Sequence, residues 1–166
     1  MNTKKFLMVA AAVTLLDQAS KLIVKHYSYQ KSFMIFPGIL SITYRENTGA
    51  GFSILKGYNF FLAIVALTAV LGIIYFRMVI PQQYQAPAAV IAGASAGNLI
   101  DRILYGYVID FIDIGFWPVF NIADSALSVS IVWIFYLMYK EERRDASMNK
   151  RRSKLKNPKL KSIKIK

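Results

Sequence analysis

Five ionisable residues fall inside or at the end of long apolar stretches of this chain, Asp17, Lys21, Asp101, Arg102 and Asp124, and Asp110 and Asp113 lie just outside one. An ionisable side chain in an apolar stretch of membrane length is costly, so it points to function by default. Asp17 and Lys21 stand four apart on one helical face, where they can form an ion pair. Asp101 and Arg102 are adjacent and can make charge-assisted hydrogen bonds to the rest of the group. Asp110 and Asp124 then remain, 14 residues apart across a short turn. Two carboxyls held close in a partly desolvated place cannot both ionise easily, so one keeps its proton. Such a pair can hydrolyse a peptide bond without a metal or a covalent intermediate. The carboxylate takes a proton from water, and its protonated partner polarises the scissile carbonyl. With no cysteine and a single histidine, His26, the chain has no thiol nucleophile, no disulfide framework and no His-cluster zinc site. No metal or cofactor is called for. An acid pair is the peptidase chemistry left open.

The elements that must position these residues are membrane-spanning helices. Of the 166 residues 55% are hydrophobic and only 18% charged, with a mean hydropathy of +0.38, which is too apolar for an ordinary soluble domain. The charge is also segregated: residues 140–166 hold 12 of the 21 Lys and Arg but 3 of the 9 acids. Crossing a hydrocarbon core of ~30 Å takes about 20 helical residues. Four stretches qualify as spans: Phe6–Val24, Tyr58–Phe76, Ala86–Ile100 and Phe116–Tyr139. The first follows Lys4 and Lys5 as a signal peptide would, yet the chain after it is itself apolar, so it reads as a retained helix. Gly93, Ala94, Ser95, Ala96 and Gly97 in the third would let helices approach closely. Between the first two spans, Leu40–Arg45 alternates apolar and polar residues between turns at Pro37-Gly38 and Asn47–Gly51, the pattern of a strand. The expected fold is an all-α membrane protein of four transmembrane helices with a small β-sheet on the outer face. Its domains would be a peptidase domain over residues 1–139 and a basic tail over 140–166.

Depth brings the acids together. At ~1.5 Å per residue Asp17 lies roughly 18 Å from the Lys5 end of its span, while Asp101 and Asp124 lie roughly 24 Å from Gln85 and Lys140. Three helices thus carry polar residues to one layer near the outer boundary. Counting Lys and Arg beside the spans sets the orientation. One side holds Lys4, Lys5, Arg77 and the tail, and the other holds Lys25, Lys31, Arg45 and Lys56. Both termini are expected in the cytoplasm, and the strand-rich segment and the Tyr105–Gly115 loop outside.

Five blocks of sequence carry a family resemblance. Asp17-Gln18-Ala19-Ser20-Lys21, Asn47-Thr48-Gly49-Ala50-Gly51-Phe52, Gly97-Asn98-Leu99-Ile100-Asp101-Arg102, Ile109-Asp110-Phe111 and Phe120-Asn121-Ile122-Ala123-Asp124-Ser125 occur in the order seen in lipoprotein signal peptidase, or signal peptidase II. Each block alone is weak; five in order at the outer ends of the spans are specific. The resemblance implies an aspartyl endopeptidase of a bacterial plasma membrane that cleaves prolipoproteins N-terminal to a diacylglyceryl-modified cysteine. It implies Asp110 and Asp124 as the catalytic dyad, with Asp17, Lys21, Asn47, Gly49, Asn98, Asp101, Arg102 and Asn121 in supporting positions. A globomycin-type inhibitor is expected to bind across the dyad. Gly51 stands where the family usually has a second Ala, and Ile109 where Val is common.

Plainer readings stand beside these. Asp110 and Asp124 read alone are a loop acid and a helix N-terminal acid favoured by the dipole. Asp17 with Lys21 equally reads as a pair that positions a helix, and Asp101 with Arg102 as holding helix ends and the loop that carries Asp110. Asn98 and Asn121 read as hydrogen-bonding glue between helices, and Asp113 as a solvated loop acid. Trp117, Tyr105 and Tyr107 read as interfacial aromatics. The tail reads as a disordered segment attracted to anionic membrane lipid; without aromatic residues for stacking, it is not expected to bind nucleic acid. The fold needs no second copy, so a monomer is expected. Two rival functions remain. An ion-coupled transporter would place its charges near the midplane and often shows repeated halves. A non-enzymatic lipid-binding scaffold would use the polar cluster for packing alone.

Overall fold

A computed structural model describes residues 1–28, 32–49 and 57–156. In chain order the elements are helix α1 (Thr3–Ser28), strands β1 (Ser32–Phe36) and β2 (Leu40–Asn47), helices α2 (Asn59–Phe76) and α3 (Gln85–Tyr105), strand β3 (Val108–Asp113) and helix α4 (Ile122–Lys156). A single 3-10 turn, Gln82–Tyr84, joins α2 to α3. The chain divides into two units, Met1–Ile131 and Val132–Lys166. Among the described residues three helices, α1, α2 and α4, are long and apolar enough to cross a membrane.

Helix α3 has the length of a span, 21 residues, but a different surface. It packs against both α1 and α2, and ten of its residues are buried, most of them Ala and Gly. Enclosure by protein relieves it of the need for large apolar side chains. The small residues have the expected use. A Cβ on Gly93 would collide with the Ala10 carbonyl oxygen, and one on Gly97 with Asp17 Oδ2. At this spacing Thr14 Oγ1 donates to the Gly93 carbonyl at 2.8 Å, and Gln18 Nε2 to the Gly97 carbonyl at 3.0 Å. Backbone polar groups of α3 thus bond side chains of α1 directly. Helix α2, by contrast, buries none of its residues and presents Phe60, Phe61, Val65 and Leu71 outward.

The sheet is antiparallel, in the order β1-β2-β3. The turn at Pro37–Ile39 and the alternating strand after it were expected. Strand β3 was not: Tyr105–Gly115, read as a loop, contains a six-residue strand, Val108–Asp113, paired antiparallel with β2. Gly106, at φ +79°, ends α3 in the left-handed conformation that closes a helix, its N–H returning to the Arg102 carbonyl at 3.2 Å. The chain then extends along β2. On its other side β3 bonds Phe120: Phe111 N and Ile112 N donate to the Phe120 carbonyl at 2.9 and 2.7 Å, and Phe120 N donates back to Ile112.

That bridge also corrects the expected fourth span. Residues 116–121 are not helical, and α4 begins at Ile122. The apolar run from Phe116 is kept out of the helix because Pro118 interrupts it and Phe120 is engaged by β3. At its far end the helix continues through Lys156, where a disordered tail was expected. Residues 122–156 contain neither Gly nor Pro, and their charged part is rich in Lys and Arg, which favours helix. Lys31, Ala50, Gly51, Phe52, Lys56 and residues 157–166, also singled out in the sequence, lie outside the described residues.

Candidate active site

The site grows from the first turn of α4. Asn121 precedes the helix, and its Oδ1 accepts the Asp124 backbone N–H at 2.9 Å, while Asp124 Oδ2 accepts the Asn121 N–H at 3.3 Å. This reciprocal exchange is a capping box, so the plainer reading of Asp124 as a helix-terminal acid is part of its role. One further first-turn donor, Ala123 N, reaches Asp17 Oδ1 on α1 at 2.9 Å. The start of α4 is therefore pinned to α1 by a carboxylate favoured at a helix N-terminus.

Asp110 arrives from the sheet. It pairs with Arg45 in the β2–β3 register, two residues from the Asn47–Val108 pair, so Asn47 and Asp110 share a face. Asn47 Nδ2 donates to Asp110 Oδ2 at 2.8 Å. The other end of that amide is committed, because Asn47 Oδ1 accepts the Gly49 N–H at 2.9 Å. Asn121 Nδ2 donates to Asp110 Oδ1 at 2.7 Å. Asn121 consequently touches both acids, one through its side-chain nitrogen and the other through its oxygen and backbone. Asp110 and Asp124 line one cleft of about 530 Å³, together with Arg45, Asn47, Trp117 and Ser128.

Behind the pair lies a buried charge cluster. Lys21 Nζ sits 2.7 Å from Asp17 Oδ2 and 2.9 Å from Asp101 Oδ2, with all three side chains at most 2% exposed. Its third contact is Asn98 Oδ1 at 2.9 Å. The ammonium thereby settles which way the Asn98 amide faces: the oxygen towards Lys21, and Nδ2 towards Asp124 Oδ1 at 3.0 Å. Asn121 Nδ2 also donates to Asn98 Oδ1 at 3.2 Å. Asp101 accepts the Ile109 N–H at 3.0 Å and so holds the strand that carries Asp110. Arg102 faces elsewhere, donating to the Gly49 carbonyl at 3.2 Å and the Asn98 carbonyl at 3.4 Å. It fastens the turn after β2 to α3.

All ten residues singled out in the sequence are thus linked by hydrogen bonds or ion pairs. Asp113 is not among them; it accepts the Gly115 N–H and remains at the surface. Gln18 and Trp117 were missed. Gln18 Nε2 donates to Asp101 Oδ1 at 2.8 Å, and its place beside Asp17 in an apolar stretch was a signal for it. Trp117, read as an interfacial aromatic, lines the cleft, and no spacing in the sequence distinguishes the two.

Burial, and after it the charge of Asp124, pushes the Asp110 carboxyl up to about 7, against the lowering effect of the Asn47 and Asn121 hydrogen bonds and of Lys21. A carboxyl that keeps its proton near neutrality beside a second acid can act as a general acid.

Known proteins resemble this chain closely. A family model described as signal peptidase (SPase) II matches residues 9–140. A lipoprotein signal peptidase of Geobacter metallireducens is 36% identical over 159 residues, 89% of this chain and 98% of that protein. One of Geobacter sulfurreducens is 39% identical over 152 residues, 85% of this chain and 95% of the relative. Two solved structures, both titled as a bacterial membrane enzyme determined by the in meso method, share the fold at 31% identity. One has a TM-score of 0.77 over 84% of this chain and 90% of its own; the other has 0.71 over 81% and 92%. On matches of this length and identity, the chain belongs to the signal peptidase II family.

Proposed function

We propose that this protein is an aspartyl endopeptidase that removes the signal peptide from diacylglyceryl-modified prolipoproteins, cutting N-terminal to the lipid-modified cysteine. Membership of the family supports the substrate class. The observation that carries the chemistry is the convergence of Asp110 and Asp124 on one cleft, with Asn121 bonded to both. Asp110 holds the shared proton and donates a hydrogen bond to the scissile carbonyl oxygen. Asp124 takes a proton from water as the water oxygen attacks the carbonyl carbon. The Asp110 proton passes to the oxygen to give a neutral tetrahedral diol. Collapse breaks the C–N bond, the proton on Asp124 moves to the departing amine, and one diol proton returns to Asp110. Asp17, Lys21, Asn98 and Asp101 position Asp124 and the strand beneath Asp110. Asn47, Gly49 and Arg102 shape the rim that holds the substrate backbone.

Four membrane crossings complete the reading, with enclosed α3 as the fourth, both termini cytoplasmic and the dyad at the outer boundary of a bacterial plasma membrane. The peptidase domain covers residues 1–139, residues 140–166 are a basic extension whose first part continues α4 as far as Lys156, and the chain works as a monomer. Substrate acyl chains would stay in lipid while the signal helix enters between spans, and a globomycin-type inhibitor would compete across the dyad. The test is cleavage of a diacylglyceryl prolipoprotein in detergent. Asp110→Asn and Asp124→Asn, folded as judged by thermal unfolding, are each expected to lose at least ~10³-fold in kcat. Folded variants that cleave at the wild-type rate would end the proposal.

A further inference from the structure

The acid-pair site makes no use of the charged end of α4. Phe135, Tyr136, Met138 and Tyr139 are exposed apolar residues of this helix, and charged residues follow directly. Arg143 lies over the Tyr139 ring, 5.3 Å from its centroid, a cation–aromatic pair at the apolar-to-charged boundary. Beyond it the charges are sorted by side. At about 100° per residue, Lys140, Arg143, Arg144, Lys150 and Arg151 fall within an arc of about 120°, all of them exposed. Glu141, Glu142 and Asp145 occupy the opposite side, with Arg152 the one basic residue among them over residues 140–153. A charge run that only kept a helix soluble would mix its signs around the axis.

We infer that the Lys140–Arg151 face of α4 is a docking surface for anionic phospholipid headgroups of the leaflet from which the helix emerges. The inference rests on α4 crossing the membrane and is independent of the acid-pair chemistry. Lipid is favoured as the occupant because the basic face continues the exposed apolar surface of the same helix. A polyanion such as RNA is disfavoured because residues 140–151 contain no aromatic side chain on which a base could stack. From Lys140 to Arg151 the rise is roughly 16 Å, about twice the screening length of ~8 Å at physiological ionic strength. An upright helix would leave Lys150 and Arg151 out of range, so full engagement makes the helix lean with its basic side down.

That lean is measurable. The chain has no cysteine, so Ser147→Cys, at the centre of the basic arc, and Asn149→Cys, on the acidic side, each give one site for a fluorophore. The full-length variants are placed in vesicles carrying a headgroup nitroxide quencher. With phosphatidylglycerol present, quenching at position 147 is expected to exceed that at 149 by ~3-fold or more, and about 0.5 M salt is expected to abolish the difference. In phosphatidylcholine alone the two positions should quench alike. The combined variant K140Q/R143Q/R144Q/K150Q/R151Q should lose the difference, and E141Q/E142Q/D145Q should keep it. Equal quenching at 147 and 149 in anionic vesicles overturns the inference. Shielding of position 147 by a short added RNA, with no response to phosphatidylglycerol, would assign the face to nucleic acid and overturn it equally.

Discussion

At the scale of single residues, the site is an exercise in committing amide groups. An asparagine side chain has a donor end and an acceptor end, and three of them are oriented here by a second contact: Asn47 by the Gly49 N–H, Asn98 by Lys21, and Asn121 by the Asp124 N–H. Each then presents its nitrogen to an aspartate. Asn98→Ala is expected to lower kcat on the order of 10²-fold with little change in KM, because it loosens Asp124 without touching substrate; steady-state kinetics on a lipidated prolipoprotein peptide would separate the two. The pH profile carries its own sign. The Asp110 carboxyl, pushed up to about 7, loses its proton above that pH and with it the capacity to act as the acid. The alkaline limb of kcat/KM is therefore expected to fall with a midpoint near 7, a value that belongs to the pair. An activity flat from pH 6 to about 9 would contradict the assigned proton.

At the scale of elements, the α1–α3 contact decides whether the acids can meet. Gly97→Ala drives a methyl into Asp17, and an overpacked helix contact of this kind costs about 1–3 kcal/mol. Because Asp17 also holds Ala123 and Lys21, activity should fall with stability, and a thermal melt paired with a cleavage assay would read both. Gly93→Ala meets the Ala10 backbone first and should cost stability first. Lys21→Met removes the one cation between two buried carboxylates; breaking a buried pair in this way costs about 3–5 kcal/mol, so this variant should be less stable than either glycine variant. Spacing in the sequence announced the Asp17–Lys21 pair and the close helix approach, since both follow from helix periodicity. Strand β3 escaped notice because two acids in six residues mask its apolar alternation, and because its pairing partners lie more than 60 residues upstream.

At the scale of the whole molecule, the proposed topology makes a prediction about sides. Ile35 is exposed on β1 and Met148 is exposed on α4. In intact spheroplasts a membrane-impermeant maleimide is expected to label Ile35→Cys and not Met148→Cys, with both labelled after lysis. Labelling of both in sealed cells would refute a shared cytoplasmic side for the termini. The basic residues from Lys140 to Lys156, whose number favours a cytoplasmic side in the proposed topology, are part of a continuous helix here.

Composition and hydropathy were enough to establish a membrane protein of long helices, because the cost of exposing backbone and charge to lipid leaves few alternatives. The motif order was enough to anticipate the family. What only the tertiary structure decided is how Asp110 and Asp124 come to share a cleft. They do so because Phe120 is bridged to Ile112, which folds residues 114–120 back and starts α4 at Ile122 instead of Phe116. Hydropathy cannot distinguish an extended apolar segment from a helical one. Pairing partners distant in the chain make that distinction.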